Sequence, residues 1–582
     1  MTGLPHTNPC PHQAGIIFDR GSTHPSYADE TSAPPSQIHP PLFQSNLQNP
    51  SYAPLHWNRH SKPPMKPFST ARRFAAPIAL ATATLMLTSS TGCAAEPVPA
   101  WTQVPAILTR IVPPTFPDRE FPITRYEAIE GGTNKCTDAF NQAIAACHQA
   151  GGGKVVVPAG KFLTGPIHLK SNVELHLSEG AEIIFSDKFD DYLPPVFVRG
   201  GGVEFYNYSP LIYARDCANV AVTGKGKLNG NAQAWWDWKT KETKTSFAKG
   251  AKGVPVEQRV FGTPEAAIRP SFLCLVNCTN VLLEGFTIGS GPNWTIHPIY
   301  CLNTTIRGVH VLTDGPNNDG IDPDSCRDLL IEDCTFDTGD DCVVLKSGYN
   351  EDGWRVGRAT ENVIMRRCTS KRGHGGLVVG SEMSGSVSNV FMEDCEFEGT
   401  DRAIRIKSRA DRGGVVENIY ARNLKVKNMQ REVVILNMDY SSDRQTILKE
   451  TPPRFRNMRF ENITGEGAPT AILITGMESS PIENIHFANL TITSTKGVVA
   501  SHVKGLTFDK VNVTPGKGAV FDLTNASDIS IRHATAPKNT EVFLKLAGTN
   551  SANVRIEASD LTAAKQKFVT GAGVSGDAVV VK

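Results

Sequence analysis

Asn362-Val363-Ile364-Met365, Asn389-Val390-Phe391-Met392 and Asn418-Ile419-Tyr420-Ala421 repeat one short pattern at steps of 27 and 29 residues. Each begins with an Asn and runs into apolar residues that alternate with polar ones. The same unit occurs earlier at Asn219 and Asn280, and later at Asn457, Asn484 and Asp528, with longer steps that imply inserted loops. A repeat of this length signals a solenoid, a propeller or an array. Short strands without internal helices, each entered through an Asn turn, predict an all-β fold, a right-handed parallel β-helix whose coils stack at the strand spacing of about 4.8 Å. A propeller is the second choice, since its blades need antiparallel hairpins and two-residue hairpin turns are few here.

At 582 residues the chain exceeds one compact core unless it is a repeat or barrel. Its 59 basic and 58 acidic residues nearly cancel, so no overall basic field favours nucleic acid or anionic lipid. The 13 cysteines form no CxxC pairs and no Cys/His clusters at zinc spacing. Buried core thiols and a few bridges formed after export are both open readings.

Residues 1–64 are rich in Pro, His, Ser and Asn, and read as disordered or as sequence upstream of the true start. From Met65 to Ala95 the layout is that of a secretory signal: Lys66, Arg72 and Arg73, an apolar run Ala75–Leu87, then small residues up to Cys93-Ala94-Ala95. The run is too short for a stable membrane span. Export to the periplasm or beyond is expected, with lipid anchoring at Cys93 ranked second because Ser90 fits that site poorly. Residues 96–125 form a Pro-rich lead-in, and 126–582 the β-helix domain. Within it, Thr137–Cys147 has helical spacing and a Gly151-Gly152-Gly153 stop, which predicts one helix capping the open end of the stack. After it the period is two and helix is not expected again.

The stretch 317–341, NNDGIDPDSCRDLLIEDCTFDTGDD, sets Asp319 in one Gly-flanked turn and Asp340-Asp341 in the next. Alone, three such carboxylates fit a calcium site, a solvated acidic patch or acid/base machinery. Stacking changes the weighing. Asp319 and Asp341 lie 22 residues apart, about one coil, which brings all three acids to one face. His374 follows at 33 residues, Arg405 after another 31, and Tyr440 lies 33 beyond Lys407. Arg405 and Lys407 share one face of a strand because side chains alternate. Adjacent cations and an imidazole argue against a calcium cage, and the lack of a thiol or His cluster against a transition metal, so no metal is expected. Close carboxylates raise the pKa of one member, which can serve as general acid in glycoside hydrolysis, while another activates water from the opposite side of the sugar. The two cations suit a carboxylate on the substrate.

Asn317-Asn318-Asp319-Gly320, Gly339-Asp340-Asp341-Cys342, Gly373-His374-Gly375 and Arg405-Ile406-Lys407 together resemble the four signature blocks of the polygalacturonases of glycoside hydrolase family 28. The likeness covers roughly 125–540 and implies inverting hydrolysis of α-1,4-linked galacturonate in pectic polysaccharide or oligogalacturonate, by a monomer without cofactor. It implies that Asp340 is the general acid, that Asp319 and Asp341 hold the attacking water, and that His374 lies beside the acid. Asn317, Arg405 and Lys407 would bind substrate, and Tyr440, matched by spacing alone, would touch it. Asn318 departs from the frequent Thr. The inserts around Tyr206–Phe261 and Ser347–Gly353 resemble those of bacterial, often exo-acting members and tilt the choice toward exo over endo action. A related xylogalacturonan or rhamnogalacturonan hydrolase, a calcium-dependent pectate lyase on the same fold and a non-catalytic glycan-binding β-helix are the competing readings. Trp294 with His297, and Trp235-Trp236-Asp237-Trp238, fit sugar stacking or plain packing.

Overall fold

Asparagine at the turn into each strand is what makes the coils superimpose. Asn219, Asn280, Asn362, Asn389 and Asn418 all adopt left-handed φ values between 54° and 58°, a conformation that a short polar side chain tolerates and a β-branched one does not. Their side-chain amides bond along the stack: Asn280 donates to Asn219 at 2.9 Å, Asn389 to Asn362 at 3.3 Å and Asn418 to Asn389 at 3.1 Å. Asn303 and Asp328, which the sequence pattern had not singled out, fill the missing places, with φ of 57° and 58°. Asn362 donates to Asp328 at 2.9 Å, so the ladder continues through the carboxylate.

The computed structural model describes residues 100–242, 245–440, 447 and 449–582. The N-terminal extension 1–64 and the signal-like segment 65–95 with Cys93 lie outside the described residues. The fold is a right-handed parallel β-helix with strands on three faces. One face runs through Ala218–Gly224, Thr279–Glu284, Leu302–Arg307, Arg327–Glu332, Thr360–Arg366 and Val387–Glu393. The next stacks Thr287–Gly289, His310–Leu312, Thr335–Asp337 and Thr369–Arg372. The third carries Leu273–Val276, Ile296–Ile299, Val343–Leu345, Leu377–Val379, Ile404–Lys407 and Glu432–Asn437, with Ile321 bridging Ile296 and Val343. Inward side chains form one continuous core, which includes a run of phenylalanines, Phe460, Phe487 and Phe508, with ring centroids 5.2 and 5.3 Å apart. The eleven described cysteines are all free and all but Cys217 are buried, which favours core thiols over bridges.

The helix Thr137–Gln149 buries Ala139, Phe140, Ala143, Ile144 and Cys147 over the first coils, as the spacing predicts. It ends where the Gly152 amide reaches the Cys147 carbonyl at 2.9 Å with φ of 106°. Helix does return, contrary to expectation, but only in segments that leave the stack: Gln233–Trp236, Trp238–Lys241, Thr245–Ala251 and Asn350–Val356. The lead-in also holds a helix, Val104–Arg110, whose Val104 and Ile107 pack with Ile111 on Leu330, Ile364 and Phe391. A helix of seven residues has too few positions for its period to stand out among prolines. Among the described residues, one antiparallel hairpin, Val196–Gly200 with Val203–Asn207, stands outside the parallel ladder.

Candidate active site

Backbone hydrogen bonds of the third face bring the acidic turns into register. Thr295 N–H donates to the Asp319 carbonyl at 3.0 Å, Gly320 N–H to Asp341 at 2.8 Å, Cys342 N–H to Gly375 at 2.8 Å and Gly376 N–H to Arg402 at 3.0 Å. Asp319 therefore sits one rung from Asp341, as the 22-residue spacing implies. Carboxylate oxygens of Asp319, Asp340 and Asp341 all lie within 4.8 Å of one another. Asp319 is 3% exposed and Asp341 1%, whereas the Asp340 side chain is 19% exposed.

The surrounding polar groups distinguish the three. Arg405 Nη1 donates to Asp341 Oδ1 at 3.0 Å and Lys407 Nζ to Oδ2 at 2.8 Å. Burial raises the Asp341 pKa, but these two cations outweigh it and hold the carboxyl far below the usual range. Asp340 Oδ1 meets His374 Nδ1 at 2.9 Å, and Oδ2 accepts from Asn317 Nδ2 at 3.3 Å. Burial and the Asp341 charge push Asp340 up; the His374 contact and Lys407 bring it below its ordinary value. In return, the hydrogen bond to Asp340 raises His374. Asp319 has no such partner, and burial, followed by the Asp340 and Asp322 charges, drives it well above the carboxylate range. Of the three carboxyls, Asp319 is thus the one shifted up by its surroundings, whereas Asp340, beside His374, is shifted down.

The glycines of the third block are required by space. A Cβ on Gly373, at φ of 146°, would stand 2.7 Å from Cys342 Sγ and 3.0 Å from the Asp340 carbonyl oxygen. His374 could not then approach Asp340 so closely. Asn317 is held in turn by Arg269, whose Nη2 donates to Asn317 Oδ1 at 2.9 Å. Asn318 is fully buried and serves the loop itself: it accepts from Thr313 and from the Gly315 N–H at 3.1 Å, and donates to the Gly291 and Asn293 carbonyls at 3.1 Å. Tyr440 presents its ring to both cations, 5.7 Å from Arg405 and 5.2 Å from Lys407. All eight residues singled out in the sequence therefore lie in one contiguous group. Both oxygens of Asp341 are taken by cations, which leaves the acidic triad poorly suited to a hard metal ion.

Residues 147–509 match the family profile described as Glycosyl hydrolases family 28. The chain belongs to glycosyl hydrolase family 28. Over 378 residues it is 29% identical to a probable polygalacturonase of Vitis vinifera, spanning 63% of this chain and 73% of that one. Over 434 residues it is 27% identical to an exo-poly-alpha-D-galacturonosidase of Dickeya chrysanthemi, spanning 67% and 71%. Among solved structures, an exopolygalacturonase from Thermotoga maritima matches with a TM-score of 0.65 at 40% identity, covering 68% of this chain and 91% of that one.

Within this family 28 frame the two aromatic groups resolve as packing. Trp294 and His297 are buried edge to face with ring centroids 4.9 Å apart. Trp235 lies at the centre of Phe189, Tyr192, Tyr208 and Trp238. The inserts are tied to the coils that carry the acids and to each other by buried ion pairs. Arg199 of the hairpin pairs with Asp324 at 2.9 Å, both fully buried, and Arg259 pairs with Asp352 of the helix Asn350–Val356 at 2.9 Å. Glu204 adds contacts to Tyr300 at 2.6 Å and Arg355 at 2.5 Å. Among the described residues no helix is long and apolar enough to cross a membrane.

Proposed function

We propose that this family 28 glycosidase hydrolyses α-1,4-galacturonosyl linkages of polygalacturonate with inversion, acting from a chain end after export. The observation that carries the reading is the joining of three acids to two cations. One substrate needs both: a glycosidic bond to protonate, and a carboxylate to hold.

Asp340 is the acid in this reading. It is the most exposed of the three carboxyls, and His374 Nδ1 stands 2.9 Å from its Oδ1, placed to supply the proton that Asp340 passes on. Transfer of that proton to the glycosidic oxygen accompanies cleavage of the bond to the anomeric carbon. A water held by Asp319 and Asp341 attacks the same carbon and gives up one proton to one member of that carboxylate pair. The oxygens lie closer, within 4.8 Å, than the separation of about 6.5–9.5 Å common in inverting pairs. Burial nevertheless supports water as the attacking group, because neither Asp319 nor Asp341 exposes enough surface to touch an anomeric carbon. Arg405 and Lys407 take the substrate carboxylate; as they turn toward it, Asp341 loses part of its compensation and becomes a better base. Asn317 orients Asp340, and Tyr440 flanks the two cations.

Exo action is supported by the inserts, whose buried ion pairs fix the hairpin and the helix Asn350–Val356 against the coils that carry the acids. Export is supported by the signal-like layout of Met65–Ala95. The direct test is Asp340→Asn with polygalacturonate as substrate: release of reducing ends falls by about 10²- to 10⁴-fold, while the wild type yields short products from the start. Undiminished turnover by the variant would overturn the reading, and a random ladder of oligomers would overturn exo action.

A further inference from the structure

Five residues after Asp341 the same coil carries Lys346, a cation that none of the roles above employs. Its side chain is 5% exposed. Nζ lies 3.5 Å from Asp322 Oδ1 and 3.7 Å from Glu382 Oε2, and stands 4.0 Å from the centroid of the Trp294 ring. Asp322 is fully buried, and neither of its oxygens has a hydrogen-bond partner among the described residues; Asp319 Oδ1 has none either. A buried carboxylate in that state is costly unless a cation compensates it. Arg405 and Lys407 are engaged on Asp341, and Arg269 on Asn317 and the Pro292 and Pro316 carbonyls. The compensation falls to Lys346.

We propose that Lys346 is a positioning residue of the reaction: clamped by Asp322 and Glu382 beneath the acids, its ammonium sets the charge state in which Asp319 holds the attacking water. The electrostatic surroundings agree. Asp319 faces Asp340, Asp322 and Asp341 as anions and Lys346 as cation, with Arg269 nearby. Lys346 faces Glu382, Asp322, Asp319 and Asp341; Asp324, paired with Arg199, and the buried His297, which burial shifts down, also lie in its field. Glu382 in turn faces Lys346, Lys407 and Arg412. Lys346 is buried, with its ammonium among Asp322, Glu382 and the Trp294 ring, which does not suit direct contact with a sugar.

The inference rests on the reading of Asp319 as a water-holding acid, and its test is separable from that reading. Profiles of kcat and KM against pH on polygalacturonate are compared for the wild type, Lys346→Met, Lys346→Arg and Glu382→Gln. Loss of the cation raises Asp319, so Lys346→Met moves the acid limb up by about one pH unit or more. At a pH on that limb this is a loss of about tenfold in kcat per unit, with KM little changed. Lys346→Arg keeps the limb in place. Glu382→Gln removes an anion and moves the limb down, a shift opposite to that of Lys346→Met and one that a merely structural role would not produce; it also serves if Lys346→Met does not fold. Coincident profiles, or a rise in KM alone, would overturn the proposal. If Asp340→Asn is inactive but these limbs do not move, only the role of Lys346 fails; if Asp340→Asn is active, the functional reading itself fails.

Discussion

Replacing Arg405 by Ala tests the link between acidic substrate and catalysis. Its guanidinium lies 3.0 Å from Asp341 Oδ1 with a side chain 14% exposed, so whatever it binds is shielded from bulk water. A charge-assisted hydrogen bond in such a place contributes about 1.5–3 kcal/mol. At about 1.4 kcal/mol per tenfold, the loss corresponds to roughly 10- to 150-fold in kcat/KM on polygalacturonate. Arg405→Lys keeps the charge but not the planar fork and falls between the two. The assay is reducing-end release from polygalacturonate and, in parallel, from fully methyl-esterified galacturonan, whose carboxyls carry no charge. The variant loses activity mainly on the acidic polymer. An equal loss on both polymers would refute the role, because it would mean that Arg405 acts on Asp341 alone and does not read the substrate carboxylate.

His374 is raised by its contact with Asp340, so its proton is present below that raised value and is lost as the pH climbs through it. In His374→Gln the carboxyl alone holds the transferable proton, and the alkaline limb of the rate profile moves down; a limb that stays put contradicts a role for His374 in supplying that proton. Asp340→Asn lowers kcat by about 10²- to 10⁴-fold, the range for loss of a general acid, with KM little affected. Chelator leaves turnover unchanged and no ultraviolet-absorbing unsaturated product appears, whereas calcium dependence would favour a lyase. Asn389→Ala breaks two ladder bonds at 3.3 and 3.1 Å and places alanine at a left-handed position, for a cost of about 2–4 kcal/mol in urea unfolding. Asn389→Gly loses only the bonds and is less destabilised; equal losses would show that the backbone conformation contributes nothing.

The fold was legible because a solenoid writes its period into the chain. Asn362, Asn389 and Asn418 recur at near-constant steps since each must enter the left-handed region at the same point of a coil. The site was legible for the same reason: coil-length spacing carried Asp319 to Asp341, and Arg405 to Lys407 by alternation. Lys346, Asp322, Glu382 and Arg269 escaped notice because their meaning depends on register across coils and on burial, and a lone charge in sequence reads as a solvated one. Register pairs Asp324 with Lys346 through the bridge on the third face, and only then does a buried cation beneath the acids come into view. The helices of the inserts were hidden for a different reason. They do not belong to the repeat and are held by long-range ion pairs such as Arg259 with Asp352, which no local period announces. The directions of the pKa shifts also needed coordinates: proximity alone says that one carboxyl is raised, and it is Asp319 that burial raises, whereas the His374 contact lowers Asp340, the residue the resemblance makes the acid.

The anomeric form of the first product tests the central claim most directly. Proton NMR during the opening minutes of polygalacturonate cleavage, before mutarotation, distinguishes the two courses of reaction. Water held by Asp319 and Asp341 and delivered opposite the bond that Asp340 protonates converts an α linkage into a β hemiacetal. Initial accumulation of the α form would contradict it, and would point instead to a covalent intermediate on one of the three carboxylates.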